Sequence, residues 1–177
     1  MLGKRVLEWQ LKRKLKRRNP YRGINSRHTA AILLQLNGKS ELKCVSEFAG
    51  KLRNNGQSVD LCAFYPGKEK NLKGKYHEPD FPVLTKSSIN WLGLPKGPEV
   101  KTFFSKEYDL LYNLDLKCND YLHYLAAGAH ARFKIGFDLN RAEIYDFMVD
   151  LPENADVKKA IQTCENTLRD VFGNGTD

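Results

Sequence analysis

Residues 30–65, AAILLQLNGKSELKCVSEFAGKLRNNGQSVDLCAFY, carry the fold in their periodicity. Ala30 to Leu36 is an unbroken apolar run of strand length, the pattern of a strand covered on both faces. Asn37-Gly38-Lys39-Ser40 breaks the run, and Ser40 offers a hydroxyl to cap the next helix. From about Glu41 to Asn54, Leu42, Val45, Ala49 and Leu52 share one helical face, and Asn55-Gly56 supplies a stop. Val59 to Tyr65 is a second apolar strand. A strand, helix and strand of these lengths pair in parallel through a crossover. The expected fold class is therefore α/β, a single Rossmann-like or flavodoxin-like layered domain with a mostly parallel sheet, preceded by a basic N-terminal helix.

The same reasoning extends along the chain. Val83 to Thr85 reads as a short strand, and Pro98 starts a short helix ending near Ser105. Asp109 to Leu114, Phe133 to Phe137 and Ile144 to Val149 supply further strands, with a helix over Asn119 to Ala129. The last helix is expected to start from a cap at Asn154 and to bury Val157, Ala160, Ile161, Cys164, Leu168 and either Val171 or Phe172. Pro66 to Asp80 reads as a polar surface loop carrying Lys68, Lys70, Lys73 and Lys75, followed by an ordered loop that holds Trp91. At 177 residues the chain has room for one ordinary domain. The resulting division is a basic helical extension over 1–22, a linker over 23–29, an α/β domain over 30–172 and a frayed tail over 173–177.

Charge is distributed far less evenly than hydrophobicity. The opening 22 residues hold Lys4, Arg5, Lys12, Arg13, Lys14, Lys16, Arg17, Arg18 and Arg22 against Glu8 alone. Their balance of +8 equals the net charge of the whole chain, so the remainder is neutral. On a helical wheel Leu2, Val6 and Trp9 form one narrow stripe and Leu7, Leu11 and Leu15 another, with basic side chains on both sides between them. From Lys12 to Arg18 only Leu15 interrupts the charges, which point all the way round, unlike those of a helix lying on lipid. Asn19-Pro20 ends the helix. The apolar residues of its first half can dock on the body while the second half projects.

This pattern leads to the expectation of a non-catalytic RNA-binding protein, associated with the ribosome and contacting ribosomal RNA and protein. The nine basic side chains named above would neutralise phosphates, and Trp9 or Tyr21 would stack on an unpaired base. No RNP-like aromatic strand, KH glycine loop or zinc finger is present, so shape and charge would carry recognition. A further alternative is a peripheral protein held on an anionic membrane surface by the same helix. No apolar run approaches the roughly 20 residues of a membrane-spanning helix. Cys44, Cys62, Cys118 and Cys164 are widely spaced and read as reduced thiols, giving a cytoplasmic location as the expectation.

Catalytic signatures are sparse. The turn after the first strand has one glycine, Gly38, where a dinucleotide fingerprint needs three, and neither a P-loop nor a G-x-S-x-G elbow occurs. No catalytic residue, metal or cofactor is expected. The alternative function is a small α/β enzyme or metabolite-binding domain, with a crevice near Gly38, Asp115 and Asn119. Asp115 follows the strand DLLYNL, and the carboxyl ends of such strands line ligand crevices. Asn119 and Asp120 serve equally well as helix caps. His123 and His130 lie seven apart without a spaced cysteine or carboxylate to complete a ligand set. Cys118 and His123 would form a nucleophile and base only if the fold joined them.

Two resemblances add to this reading. EYDLLYNLD followed by YLAAGAHARFKIGFD resembles the strand, helix and strand unit in the N-terminal half of heptosyltransferase-type glycosyltransferases, over about 30 residues. It implies a fold and no activity, because such an enzyme holds its nucleotide in a second Rossmann-like half. Over the whole chain, the order of basic helix, first strand, INWLGLP, EYDLLYNLD and FKIGF is similar to a family of short Bacteroidota proteins with a domain of unknown function. That resemblance implies a bacterial cytoplasmic α/β domain and supplies no catalytic residues.

Overall fold

The computed structural model describes residues 6, 7, 9, 10, 13, 29–76 and 79–172. Among them, six strands form one all-parallel sheet: β1 (Thr29–Gln35), β2 (Ser58–Phe64), β3 (Val83–Leu84), β4 (Glu107–Asn113), β5 (His130–Gly136) and β6 (Phe147–Met148). Five α-helices accompany them among the same residues: α1 (Lys39–Asn54), α2 (Leu72–Tyr76), α3 (Pro98–Ser105), α4 (Asp120–Gly128) and α5 (Val157–Phe172). The strand order is β3-β2-β1-β4-β5-β6, the doubly wound Rossmann order, whose direction of winding reverses between β1 and β4.

The apolar run of β1 is explained by cover on both faces. Ala30, Ile32 and Leu34 face a core built with Val45, Phe48 and Leu52 of α1 and Ile161, Cys164 and Leu168 of α5. Ala31 and Leu33 face the opposite core, with Val100 and Phe103 of α3 and Leu122, Leu125 and Ala126 of α4. The three-layer sandwich thus follows from period-two strands meeting one-sided helices. Lys51 of α1 and Glu165 of α5 pair across the outer surface at 2.5 Å.

Several boundaries differ from expectation for local reasons. Helix α1 starts at Lys39 with Gly38 as its cap residue, two positions before the expected Ser40, and Leu42 N donates to Gly38 O. Glu41 stands in its first turn, where the positive end of the helix favours a carboxylate. The expected strand over Ile144 to Val149 shortens to Phe147–Met148, because a turn closed by Ile144 N on Arg141 O carries Ile144 and Tyr145 into the core instead. Helix α5 is capped by Asp156, whose Oδ1 accepts from Lys159 N at 2.8 Å, rather than by Asn154. The segment read as a polar surface loop contains a 3-10 turn over Glu69–Asn71 and then α2. Its Tyr76 is buried, with its ring centroid 5.7 Å from that of Tyr65. The loop holding Trp91 is ordered by Asn90, whose Oδ1 accepts from Leu92 N and Leu94 N, and Trp91 itself is 86% exposed.

At the N-terminus, Val6, Leu7, Trp9, Gln10 and Arg13 have helical backbone. Leu7 is buried against Leu94 and Tyr124, with Val6 beside it. Of the expected linker over 23–29, residues 23–28 lie outside the described residues and Thr29 already opens β1, while the tail over 173–177 also lies outside them.

Candidate functional site at the carboxyl edge of the sheet

In this strand order, ligands bind at the carboxyl ends of the strands flanking the reversal point. Here those ends belong to β1 and β4. Gln35 ends β1 and Asn113 ends β4, and the two loops are tied together by Asn119 Nδ2 donating to Gln35 Oε1 at 2.6 Å. Between them is a crevice with a free interior of about 10 Å³, lined by Gln35, Asn37, Glu41, Asp115 and Lys117. That is room for about one water molecule. Glu41 Oε2 is buried there without a hydrogen bond.

Asp115 organises the β4 loop. It is 4% exposed, its Oδ1 accepts from Lys117 N at 3.0 Å and its Oδ2 accepts from Asn119 N at 2.5 Å. Burial raises its pKa above the usual carboxylate range, and those two backbone hydrogen bonds oppose the rise. The bonds grip the chain on both sides of Cys118, which adopts φ +54°, the one non-glycine residue with positive φ among the described residues. Asn119 in turn caps α4 by accepting from Tyr121 N and Leu122 N, so the capping role expected for it holds.

Behind this loop lies a polar cluster within the α4, β5 and β6 region. His123 is 1% exposed; its Nδ1 is 2.7 Å from Tyr145 Oη, which also accepts from Asn113 Nδ2 at 2.7 Å. His123 Nε2 lies 3.2 Å from Asp138 Oδ2, yet the alignment makes no hydrogen bond and Nε2 has no other. Burial lowers the pKa of His123, while the carboxylates of Asp138 and Asp115 pull it back up. Asp138 follows β5 and is fixed through Oδ1, which accepts from Asn140 N at 3.0 Å. Although Cys118 is an exposed residue, partial desolvation of its sulfur, together with the charges of Asp138 and Asp115 and a hydrogen bond to Asp138, pushes the thiol up to about 11. At neutral pH it is a protonated thiol and a poor nucleophile.

Gly136 makes room for this arrangement. A Cβ there would stand 2.7 Å from three ring atoms of Tyr145, so only glycine lets the phenol lie across β5. Gly38 is different: its φ of −155° is extended backbone, and a Cβ would meet Ser40 Oγ at an ordinary 3.9 Å.

The sequence-predicted site residues fall into two groups. Asp115 and Asn119 do meet at the reversal point, with Gly38 at the other loop. Spacing alone gave His123 no ligand set, but the fold brings Cys118 and Asp138 to it; His130 stands apart, starting β5. Asp138 follows an apolar strand as Asp115 does, and that signal marks it too. Gln35, Tyr145 and Asn113 had no comparable signal. Of the residues expected to bind RNA, Lys4, Arg5, Lys12, Lys14, Lys16, Arg17, Arg18 and Arg22 lie outside the described residues, as does Tyr21. Arg13 is exposed with its guanidinium 5.7 Å from the ring centroid of Trp9, which is itself 57% exposed. Among the described residues no helix is long and apolar enough to cross a membrane.

Comparison with known proteins yields no match among curated proteins and none among solved structures. A family profile described as a family of unknown function (DUF6913) matches residues 4–169, and the chain belongs to that family.

Proposed function

We propose that the protein binds RNA without catalysing a reaction on it, with the ribosome as its target and the basic side chains of residues 4–22 neutralising phosphates. The observation that carries this reading is the segregation of charge, since the first 22 residues hold a balance of +8 on an otherwise neutral chain. Such a concentration attracts a polyanion at long range and releases its condensed counterions on contact. The packing of Leu7 on Tyr124 supports a presenting role for the body, and the exposure of Trp9 and Arg13 leaves an aromatic ring and a cation for a base and a phosphate. Because Leu7 packs on the domain, the clean test replaces charge and leaves the segment in place. A full-length variant with Lys12, Arg13, Lys14, Lys16, Arg17 and Arg18 changed to Gln is compared with the parent for binding to ribosomes, bulk RNA and anionic vesicles across a salt series. The parent is expected to bind RNA with an affinity that falls by about 0.7 to 0.9 log units per log unit of salt for each phosphate neutralised. The variant, which keeps Lys4, Arg5 and Arg22, is expected to lose most of that slope. Preference for ribosomes over bulk RNA supports the target; preference for vesicles replaces RNA with a membrane surface, and equal behaviour of parent and variant rejects the reading.

A second reading, a metabolite-binding or enzymatic domain, is favoured by the unsatisfied Glu41 Oε2 beside buried Asp115 in the crevice. Two carboxylates select a ligand that donates hydrogen bonds or carries positive charge over a phosphate, and a ligand larger than a water molecule requires the lining to move aside. Thermal stabilisation of the parent by such compounds, absent in Glu41→Gln, would support it.

A further inference from the structure

The cluster behind the β4 loop joins one thiol, one imidazole and one carboxylate from three parts of the chain. A donor atom of Cys118, of His123 and of Asp138 all lie within 4.8 Å of one another. The other polar atoms of the buried pair are occupied: His123 Nδ1 by Tyr145 Oη at 2.7 Å, and Asp138 Oδ1 by Asn140 N at 3.0 Å and Asn140 Nδ2 at 3.2 Å. This leaves His123 Nε2 and Asp138 Oδ2 turned toward each other at 3.2 Å, with Nε2 buried and making no hydrogen bond. Leaving a buried ring nitrogen unsatisfied is costly, and such groups in native proteins have a reason.

We infer that Cys118, His123 and Asp138 form a binding site for a zinc-class divalent cation, with a fourth coordination position open to solvent on the side where Cys118 is exposed. The nitrogen–oxygen separation fits. A tetrahedral ion bound at about 2.0 to 2.2 Å by nitrogen and oxygen holds those two atoms about 3.4 Å apart, close to the 3.2 Å between Nε2 and Oδ2. The donor set chooses the metal, because sulfur and imidazole suit zinc, whereas magnesium and calcium require oxygen throughout. Metal binding displaces the Cys118 proton to solvent, and the resulting thiolate together with the Asp138 carboxylate neutralises a doubly charged ion, which makes its partial burial tolerable. Tyr145 is the supporting partner: its hydroxyl accepts a hydrogen bond from Nδ1–H when Nε2 ligates, and Asn113 holds the phenol in place. Asp115 shapes the loop that presents Cys118, through its bonds to Lys117 N and Asn119 N. Three protein ligands and an open position are the arrangement of a zinc that meets water or a substrate, in contrast to the closed four-ligand sites that only support a fold. The inference stands independently of RNA binding, since none of these residues belongs to the basic segment.

The test uses the full chain stripped with a chelator, titrated with Zn²⁺ by calorimetry and with Co²⁺ by absorption. One Zn²⁺ per chain is expected, with a cobalt adduct showing thiolate-to-metal charge transfer and the intensity of a tetrahedral site. Cys118→Ser, an exposed and conservative change, is expected to weaken Zn²⁺ binding by more than about tenfold and to abolish the charge-transfer band. Asp138→Asn is expected to weaken binding comparably, and Tyr145→Phe by about tenfold through loss of the imidazole's partner. Absence of Zn²⁺ binding by the parent at micromolar concentrations overturns the inference. So does undiminished binding by Cys118→Ser, which would place the metal on other thiols, or equal competition by Mg²⁺.

Discussion

The loop after β1 and the loops after β4 and β5 leave the same edge of the sheet, yet they are built differently. The β1 loop, Leu36 to Gly38, is short and enters α1 through an ordinary extended glycine, with Glu41 occupying the positive end of the helix that a phosphate would otherwise use. The β4 and β5 loops bury Asp115 and Asp138 and hold Cys118 in a left-handed conformation beside His123. In this architecture a dinucleotide's phosphates sit on the first loop. Here the polar chemistry has moved to the neighbouring loops, which teaches that the strand order leaves a crevice and does not dictate its occupant.

The contrast between Gly136 and Gly38 gives its sharpest test. Gly136→Ala would drive a methyl into the Tyr145 ring, displacing the phenol and unpairing both Asn113 Nδ2 and His123 Nδ1. A destabilisation of about 3 kcal/mol is expected, read as a lower urea midpoint at unchanged slope. A neutral result would mean that Tyr145 does not lie on β5. Tyr145→Phe keeps the ring and removes only its hydroxyl, leaving two buried nitrogens without a partner, at an expected cost of about 2 kcal/mol. Should it prove neutral, the polar cluster contributes nothing to the fold and the two loops differ less than their geometry implies.

Asp115→Ala tests the loop itself. It frees Lys117 N and Asn119 N, and a loss of about 1 to 2 kcal/mol is expected, with faster amide exchange confined to residues near Cys118. Exchange spreading into β1 would show that Asp115 also holds the strands together. At the small end, Gly38→Ala is expected to change stability by less than about 0.5 kcal/mol, because its backbone is extended and space is available. A larger effect, measured by the same denaturation, would give the β1 loop a constraint as strict as that at Gly136.

Much of the fold was legible in the sequence because its signals are local. The apolar run of β1 and the one-sided face of α1 each report burial within a few residues, and Pro98 marks the start of α3 through its own restricted backbone. Legibility failed where several local options competed or where a distant partner decided. Ile144 has strand-like chemistry, yet a turn onto Arg141 O places it in the core. Asn154 and Asp156 are both competent caps, and geometry gave the position to Asp156. In the site, Asp115 could be read as an acid following a strand. The meeting of Gln35 with Asn119, and of His123 with Tyr145, depends on strands being neighbours and on the path of a later turn.

The sequence by itself determined a parallel α/β layering and a concentration of charge in the first 22 residues, because periodicity and net charge are sums over local residues. Only the tertiary structure decided the order β3-β2-β1-β4-β5-β6 and the joining of Cys118, His123 and Asp138. Exchanging strand positions would leave each element's own period and apolar face intact. The choice therefore rests on loop reach and on how side chains from separate elements fit together, which no local pattern records.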